Sequence, residues 1–102
     1  MASILETRIY SEIKYIFKDA QARFVIGGKE CDIWIPSLHL GIEVDGYYWH
    51  KNSIEKEEAK NKTIEENGGV LVRIREEGLI KISENDVLYS RLDCQKTIGL
   101  CT

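Results

Sequence analysis

The chain has 102 residues, 43% hydrophobic and 30% charged, proportions that suit one compact domain with a single modest core and leave no room for a second. Its 14 Lys and Arg stand against 17 Asp and Glu, a net charge of −3, which argues against a stand-alone protein that grips a nucleic-acid backbone tightly, because such affinity scales with the phosphates neutralised. No apolar run is long enough to cross a bilayer, Met1-Ala2-Ser3 leads into a charged helical pattern, and Cys31, Cys94 and Cys101 form no C-x-x-C pair, so a soluble cytoplasmic protein without a disulfide framework or zinc knuckle is expected.

Ser3 followed by Glu6 is a capping-box pattern, and Leu5, Ile9, Ile13, Ile16 and Phe17 recur at helical spacing, which predicts a first helix over about residues 4–18. Residues 23–26 and the pair Gly27-Gly28 read as a strand and turn; Cys31 to Ile35, stopped by Pro36, reads as a second strand, and residues 40–45 as a third. Ser53 is placed to cap a second, very polar helix running to Glu66, and Asn67-Gly68-Gly69 supplies a left-handed stop. Val70 to Ile74 is the most strand-like run, and Ser83 is expected to start a last helix carrying Val87, Leu88 and Leu92. The order predicts an α/β fold, αβββαβ plus a C-terminal helix, with a mixed four-stranded sheet flanked by helices.

The informative chemistry lies in Cys31-Asp32-Ile33-Trp34-Ile35-Pro36 and Gly41-Ile42-Glu43-Val44-Asp45-Gly46. Side chains alternate along a strand, so Glu43 and Asp45 share one face, and a short turn through Ser37 to His39 is able to bring Asp32 alongside. Taken alone, an acidic pair is most often a solvated feature of an open strand face. Here apolar Ile33, Trp34, Ile35, Ile42 and Val44 suggest strands covered on both faces, where unpaired acids are costly. Asp32, Glu43 and Asp45 together make a candidate Mg²⁺ (or Mn²⁺) site, since Mg²⁺ takes a few carboxylates and completes its octahedron with water and phosphate.

Downstream, Gly46-Tyr47-Tyr48-Trp49-His50 would hold an imidazole close to the strand carboxylates, and histidine is suited to taking a proton from an attacking water at neutral pH. A lone histidine is more often an ordinary surface or core residue; its place after an acidic strand end brings the two readings nearer to even, whereas His39 has no such context. Glu6 has a simple explanation as the partner of Ser3 in the capping box, yet it also flanks the apolar stripe of the helix and is able to reach inward.

These residues carry a resemblance. The run from Asp32 through Ile42-Glu43-Val44-Asp45-Gly46-Tyr47-Tyr48-Trp49-His50, then Lys60-Asn61 and Gly68-Gly69-Val70-Leu71-Val72-Arg73-Ile74, resembles the very-short-patch-repair-like branch of the PD-(D/E)xK nucleases. Within it, the chain looks most like the catalytic domain of the EDxHD homing endonucleases of phages and introns. The resemblance implies a restriction-endonuclease-like core and hydrolysis of phosphodiester bonds in double-stranded DNA. Its implied catalytic set is Glu6, Asp32, Glu43, Asp45 and His50: Asp32 and Glu43, with Asp45, hold Mg²⁺, Glu6 positions a metal-bound water, and His50 activates or orients the attacking one.

Two departures from the pattern matter. The triplet ends in Asp45 where relatives carry lysine, so His50 or a helix lysine such as Lys51, Lys56 or Lys60 has to take that part. Asn61 stands where relatives often have an aspartate that orients the histidine. The zinc-binding cysteines of the mismatch-repair relatives are absent, with Tyr47 at one matching position, which favours the homing type. Contacts to the DNA backbone are expected from Lys51, Lys56 and Lys60, and no recognition helix or finger is visible. Residues 1–102 thus read as one catalytic domain, with target choice expected from a separate region of a longer polypeptide; a homo-oligomer is compatible with this reading. The rival readings are a restriction- or repair-type nuclease of the same superfamily, and a nuclease-like fold without catalysis that serves as an interaction module.

Overall fold

A computed structural model describes residues 4–47 and 53–90. Helix α1 (Ile4–Ile16) is followed by strands β1 (Gln21–Ile26), β2 (Lys29–Ile35) and β3 (Leu40–Asp45), helix α2 (Ile54–Glu66), and strands β4 (Val70–Glu76) and β5 (Val87–Tyr89). The strands form one sheet in the order β1-β2-β3-β4-β5. β1, β2 and β3 run antiparallel, while β4 lies parallel to β3 and β5 parallel to β4. The expected α/β class is therefore present. Among the described residues, no helix is long and apolar enough to cross a membrane.

Local sequence explains most of these elements. The β1–β2 hairpin closes between Ile26 and Lys29, and its two central residues, Gly27 and Gly28, have φ of 57° and 79°, the doubly left-handed turn that suits the twist of a tight hairpin. α2 ends as Asn67-Gly68-Gly69 foretold: the Gly69 amide donates to the Ile64 carbonyl at 2.9 Å and the Gly68 amide to that of Glu65 at 3.0 Å, which satisfies two terminal carbonyls of the helix. Ser53 holds the N-cap position but makes no side-chain cap; its hydroxyl donates to Glu57 Oε1 at 2.9 Å instead. Ser3, the other half of the predicted capping box at Glu6, lies outside the described residues.

The sheet separates two apolar layers. On one side Ala20, Ile33, Ile35 and Ile42 are buried beneath Ile9, Tyr10, Ile13 and Phe17 of α1 and its exit. On the other, Cys31, Trp34, Ile64 and Leu71 form the layer under α2, with Phe24 stacked on Trp34 at 5.5 Å between ring centroids. Ile9 and Ile13 of the predicted stripe thus find the sheet that they need, and Phe17 packs there just beyond the helix end, whereas Ile16, expected in the same stripe, is exposed.

The C-terminal part corrects the sequence reading. No helix starts at Ser83; Val87–Tyr89 is a fifth strand, registered Ile74↔Val87, Arg75↔Leu88 and Glu76↔Tyr89. The expected sheet of four strands with a closing helix is, over the described residues, a sheet of five. The reason lies in Asp86, whose carboxylate accepts the amides of Ile82 at 2.7 Å and Ser83 at 3.2 Å, and also the Arg73 amide of β4 at 3.3 Å. These bonds fold the segment into a turn and pin it to the open edge of β4, where β-prone Val87-Leu88-Tyr89 continues the ladder. Leu92, expected on the helix, lies outside the described residues.

Candidate functional site

Asp32 and Glu43 meet where β2 and β3 part. The two strands pair through Ile33↔Ile42, Trp34↔Gly41 and Ile35↔Leu40, and one step further the side chains take over from the main chain. The Asp32 amide donates to Glu43 Oε2 at 3.3 Å, and the Val44 amide donates to Asp32 Oδ2 at 3.0 Å. Strand alternation slips at this point, since Cys31 belongs to the layer under α2 while Ile33 and Ile35 belong to the layer under α1. Each carboxylate therefore spends one oxygen on satisfying a ladder amide.

The other oxygens face cations of the protein. Glu43 Oε1 accepts Lys60 Nζ, which reaches over from α2 and also donates to the Glu30 carbonyl at 2.8 Å. Asp32 Oδ1 faces Arg23 Nη1 at 3.6 Å, and the same guanidinium lies 3.2 Å from Glu6 Oε2 and 3.5 Å from Glu30 Oε1. A line of charged groups thus runs Glu6, Arg23, Asp32, Glu43, Lys60, with the two acids Asp32 and Glu43 adjacent at its centre and a cation on either side of them.

Electrostatics mark the centre of this line as short of positive charge. Glu43 is only 3% exposed; burial, followed by the hydrogen bond and charge of Asp32, pushes its carboxyl up to about 8, with Lys60 pulling the other way. Glu6 is also raised, by burial first and the charge of Asp32 second, against the pull of Arg23. Two oxygen donors held together at the cost of ionisation fit a hard divalent cation, which needs only one or two carboxylates and takes water and phosphate for the rest. Asp32 and Glu43 are the residues that would hold it.

Asp45 has different company. Register places Glu43 opposite Arg73 and Asp45 opposite Arg75 on the parallel strand β4. Asp45 Oδ2 accepts Arg73 Nη1 at 3.0 Å and Arg75 Nη1 at 2.6 Å, in a cluster that is completed by Glu57 of α2. Both arginines are fully buried. The predicted sharing of one face by Glu43 and Asp45 is present, but among the described residues no group of three or more His, Cys, Asp or Glu side chains gathers as a metal-binding set. The expected convergence of Asp32, Glu43 and Asp45 is replaced by a pair, because the guanidinium groups of β4 draw Asp45 into an ion cluster.

Asn61, expected to orient a histidine, accepts Arg73 Nε at 2.9 Å in the same buried cluster. Lys56 is exposed on α2, whereas Lys60 is drawn in against Glu43. His50 and Lys51 lie outside the described residues. Sequence reasoning missed the parts played by Arg23, Glu57, Arg73 and Arg75. The alternation Arg73-Ile74-Arg75 beside Glu43-Val44-Asp45 is the signal that was there to be read, once β3 and β4 are taken as parallel neighbours. Comparison of the chain with protein-family models, with curated proteins and with solved structures returns no match.

Proposed function

We propose that the chain is a metal-dependent DNA endonuclease domain of the homing type, with a PD-(D/E)xK-like core. The observation that carries this reading is the contact of Asp32 with Glu43 at the point where β2 and β3 part, with a lysine of α2 on Glu43. The sequence resemblance through Asp32, Glu43-Val44-Asp45 and His50 supports it.

In this reading Asp32 and Glu43 supply oxygen ligands to Mg²⁺. When bound, the ion lends Lewis acidity to the scissile phosphate and lowers the pKa of its water. Lys60 provides the fixed positive charge that Asp45 does not, and steadies charge on the phosphate. His50 takes the proton of the attacking water as the water's oxygen bonds to phosphorus; the bond to the leaving sugar oxygen breaks, and that oxygen takes a proton from solvent. Glu6, near Asp32, orients a water from the helix side.

The test is cleavage of supercoiled plasmid DNA with Mg²⁺ or Mn²⁺ by the whole chain and by Asp32→Asn, Glu43→Gln and His50→Ala. Metal-dependent nicking or linearisation lost in all three folded variants is the expected result. Cleavage that survives Asp32→Asn and Glu43→Gln overturns the reading. A second reading, a nuclease-like fold that binds partners without catalysis, is favoured by the engagement of Asp45 with Arg73 and Arg75. It requires that Mn²⁺ show no calorimetric binding to the intact chain.

A further inference from the structure

Arg23 has an unusual backbone for a residue in the middle of a strand. Its φ is 57°, in the left-handed region that a long, non-glycine side chain seldom enters. It stands opposite Asp32, between the paired rungs Ala22↔Ile33 and Phe24↔Cys31, so both strands break step at the same rung. Such a conformation persists only where its surroundings hold it. Here the holding groups are acidic: the guanidinium lies within 3.6 Å of oxygens of Glu6, Glu30 and Asp32.

An exposed ion pair by itself contributes little. Three carboxylates meeting on one strained arginine are another matter, because removing the arginine leaves like charges facing one another with no counter-charge. The position of that guanidinium is also informative. Asp32 Oδ2 is committed to the Val44 amide, so the oxygen facing Arg23 is the one through which Asp32 would bind an ion. Arg23 lies on the edge strand of the sheet with its side chain 42% exposed, so the guanidinium is free to turn away into solvent.

We propose that Arg23, held by Glu6 and Glu30, is a tethered counter-cation that occupies the ion-facing oxygen of Asp32 and is displaced when a divalent ion binds to Asp32 and Glu43. The inference rests on the reading of Asp32 and Glu43 as ion ligands. It assigns to Arg23 a competition with the ion that the resemblance to nucleases does not include. The left-handed backbone is the means: it turns an edge-strand arginine over the rung occupied by Asp32. Exchange then costs no buried charge, because the departing guanidinium enters water as the ion arrives.

The experiment is calorimetric titration of the whole chain with Mn²⁺, in wild type, Arg23→Gln, Arg23→Gly, Arg23→Lys and Asp32→Asn, with folding of each followed by circular dichroism. Arg23→Gln removes the charge; Arg23→Gly removes it while suiting the left-handed backbone, and so guards against loss of fold. The expected result is Mn²⁺ affinity about fivefold tighter in both neutral variants and near wild type in Arg23→Lys. A merely structural arginine would give unchanged or weaker binding in Arg23→Gln and Arg23→Gly, which overturns the proposal while loss of binding in Asp32→Asn keeps the ion site. Absence of Mn²⁺ binding throughout, or binding indifferent to Asp32→Asn, overturns the ion site and this proposal together.

Discussion

Lys60 Nζ lies against Glu43 and at the same time donates to the Glu30 carbonyl at 2.8 Å, so a lysine from α2 bridges a carboxylate of β3 and the main chain of β2. Two anchors on different strands hold the ammonium in place. In the proposed reaction this is the group that stands in for the lysine absent from the Glu43-Val44-Asp45 triplet. Lys60→Met should lower cleavage by about 10²-fold or more, the scale seen when one fixed electrostatic contact to a transition state is removed. Lys60→Arg should recover part of the loss, and the side chain is 27% exposed, so both variants should fold. Single-turnover rates on plasmid DNA check this; a Lys60→Met enzyme as fast as wild type would pass the part to His50, Lys51 or Lys56.

Glu43 makes stability depend on pH with a definite sign. Its carboxyl is raised from 4.5 to about 8 by burial and by Asp32, so between those values the folded state holds a proton that the unfolded state has lost. Stability from this group is fully present below about 4.5 and is lost as pH rises through about 8. Urea denaturation from pH 5 to 8.5 should therefore show falling stability that flattens in Glu43→Gln. Mn²⁺, which favours the ionised carboxylate, should stabilise the wild type more at the upper end of that range.

Glu57 contributes the opposite limb. Burial pushes its carboxyl up, but hydrogen bonds from Arg75 and Ser53 and the charges of Arg75 and Arg73 outweigh burial and bring it below its ordinary 4.5. Its contribution is present above about 4.5 and is lost as pH falls through the lowered value. Acid unfolding monitored by tryptophan fluorescence should move toward neutral pH if Arg75 is replaced by Met.

Asp45 is expected to matter for folding before chemistry. Removing it by Asp45→Ala leaves the buried Arg73 and Arg75 short of a counter-charge, a change that costs about 3–5 kcal/mol in comparable buried pairs. Chemical denaturation should show that loss, with a much smaller one for Asp32→Asn. An Asp45→Ala protein of wild-type stability that no longer binds Mn²⁺ would return Asp45 to the ion site.

DNA binding by these 102 residues should be weak, indifferent to sequence and steeply reduced by salt, because 17 acids outnumber 14 basic residues. Of the lysines expected at the backbone, Lys60 is already engaged by Glu43, while Lys56 is exposed. Fluorescence anisotropy with unrelated duplexes at two salt concentrations measures this. Tight, salt-resistant, selective binding would place recognition within the chain itself.

Local signals determined much of the fold. The Gly27-Gly28 hairpin, the stop after Ile35 at Pro36 and the glycine ending of α2 each act through neighbouring backbone, and each is found where the sequence puts it; the stripe of α1 is found at Ile9 and Ile13 but not at Ile16. The contact of Asp32 with Glu43 follows from strands joined by a short turn, and Lys60 was already among the candidate lysines. Tertiary structure decided the rest. Ser83 and Val87-Leu88 read as a helix start until the edge of β4 and the three amides on Asp86 claim the segment for the sheet. Asp45 resembles Glu43 in every local respect; only the parallel register that sets Arg73 and Arg75 beside it separates an ion-cluster carboxylate from a candidate ligand. The slip at Asp32 and the left-handed Arg23 are likewise invisible to periodicity, because they arise where two strands part and charges from five elements meet. Charge acts through space, and the partners that settle each carboxylate lie far along the chain.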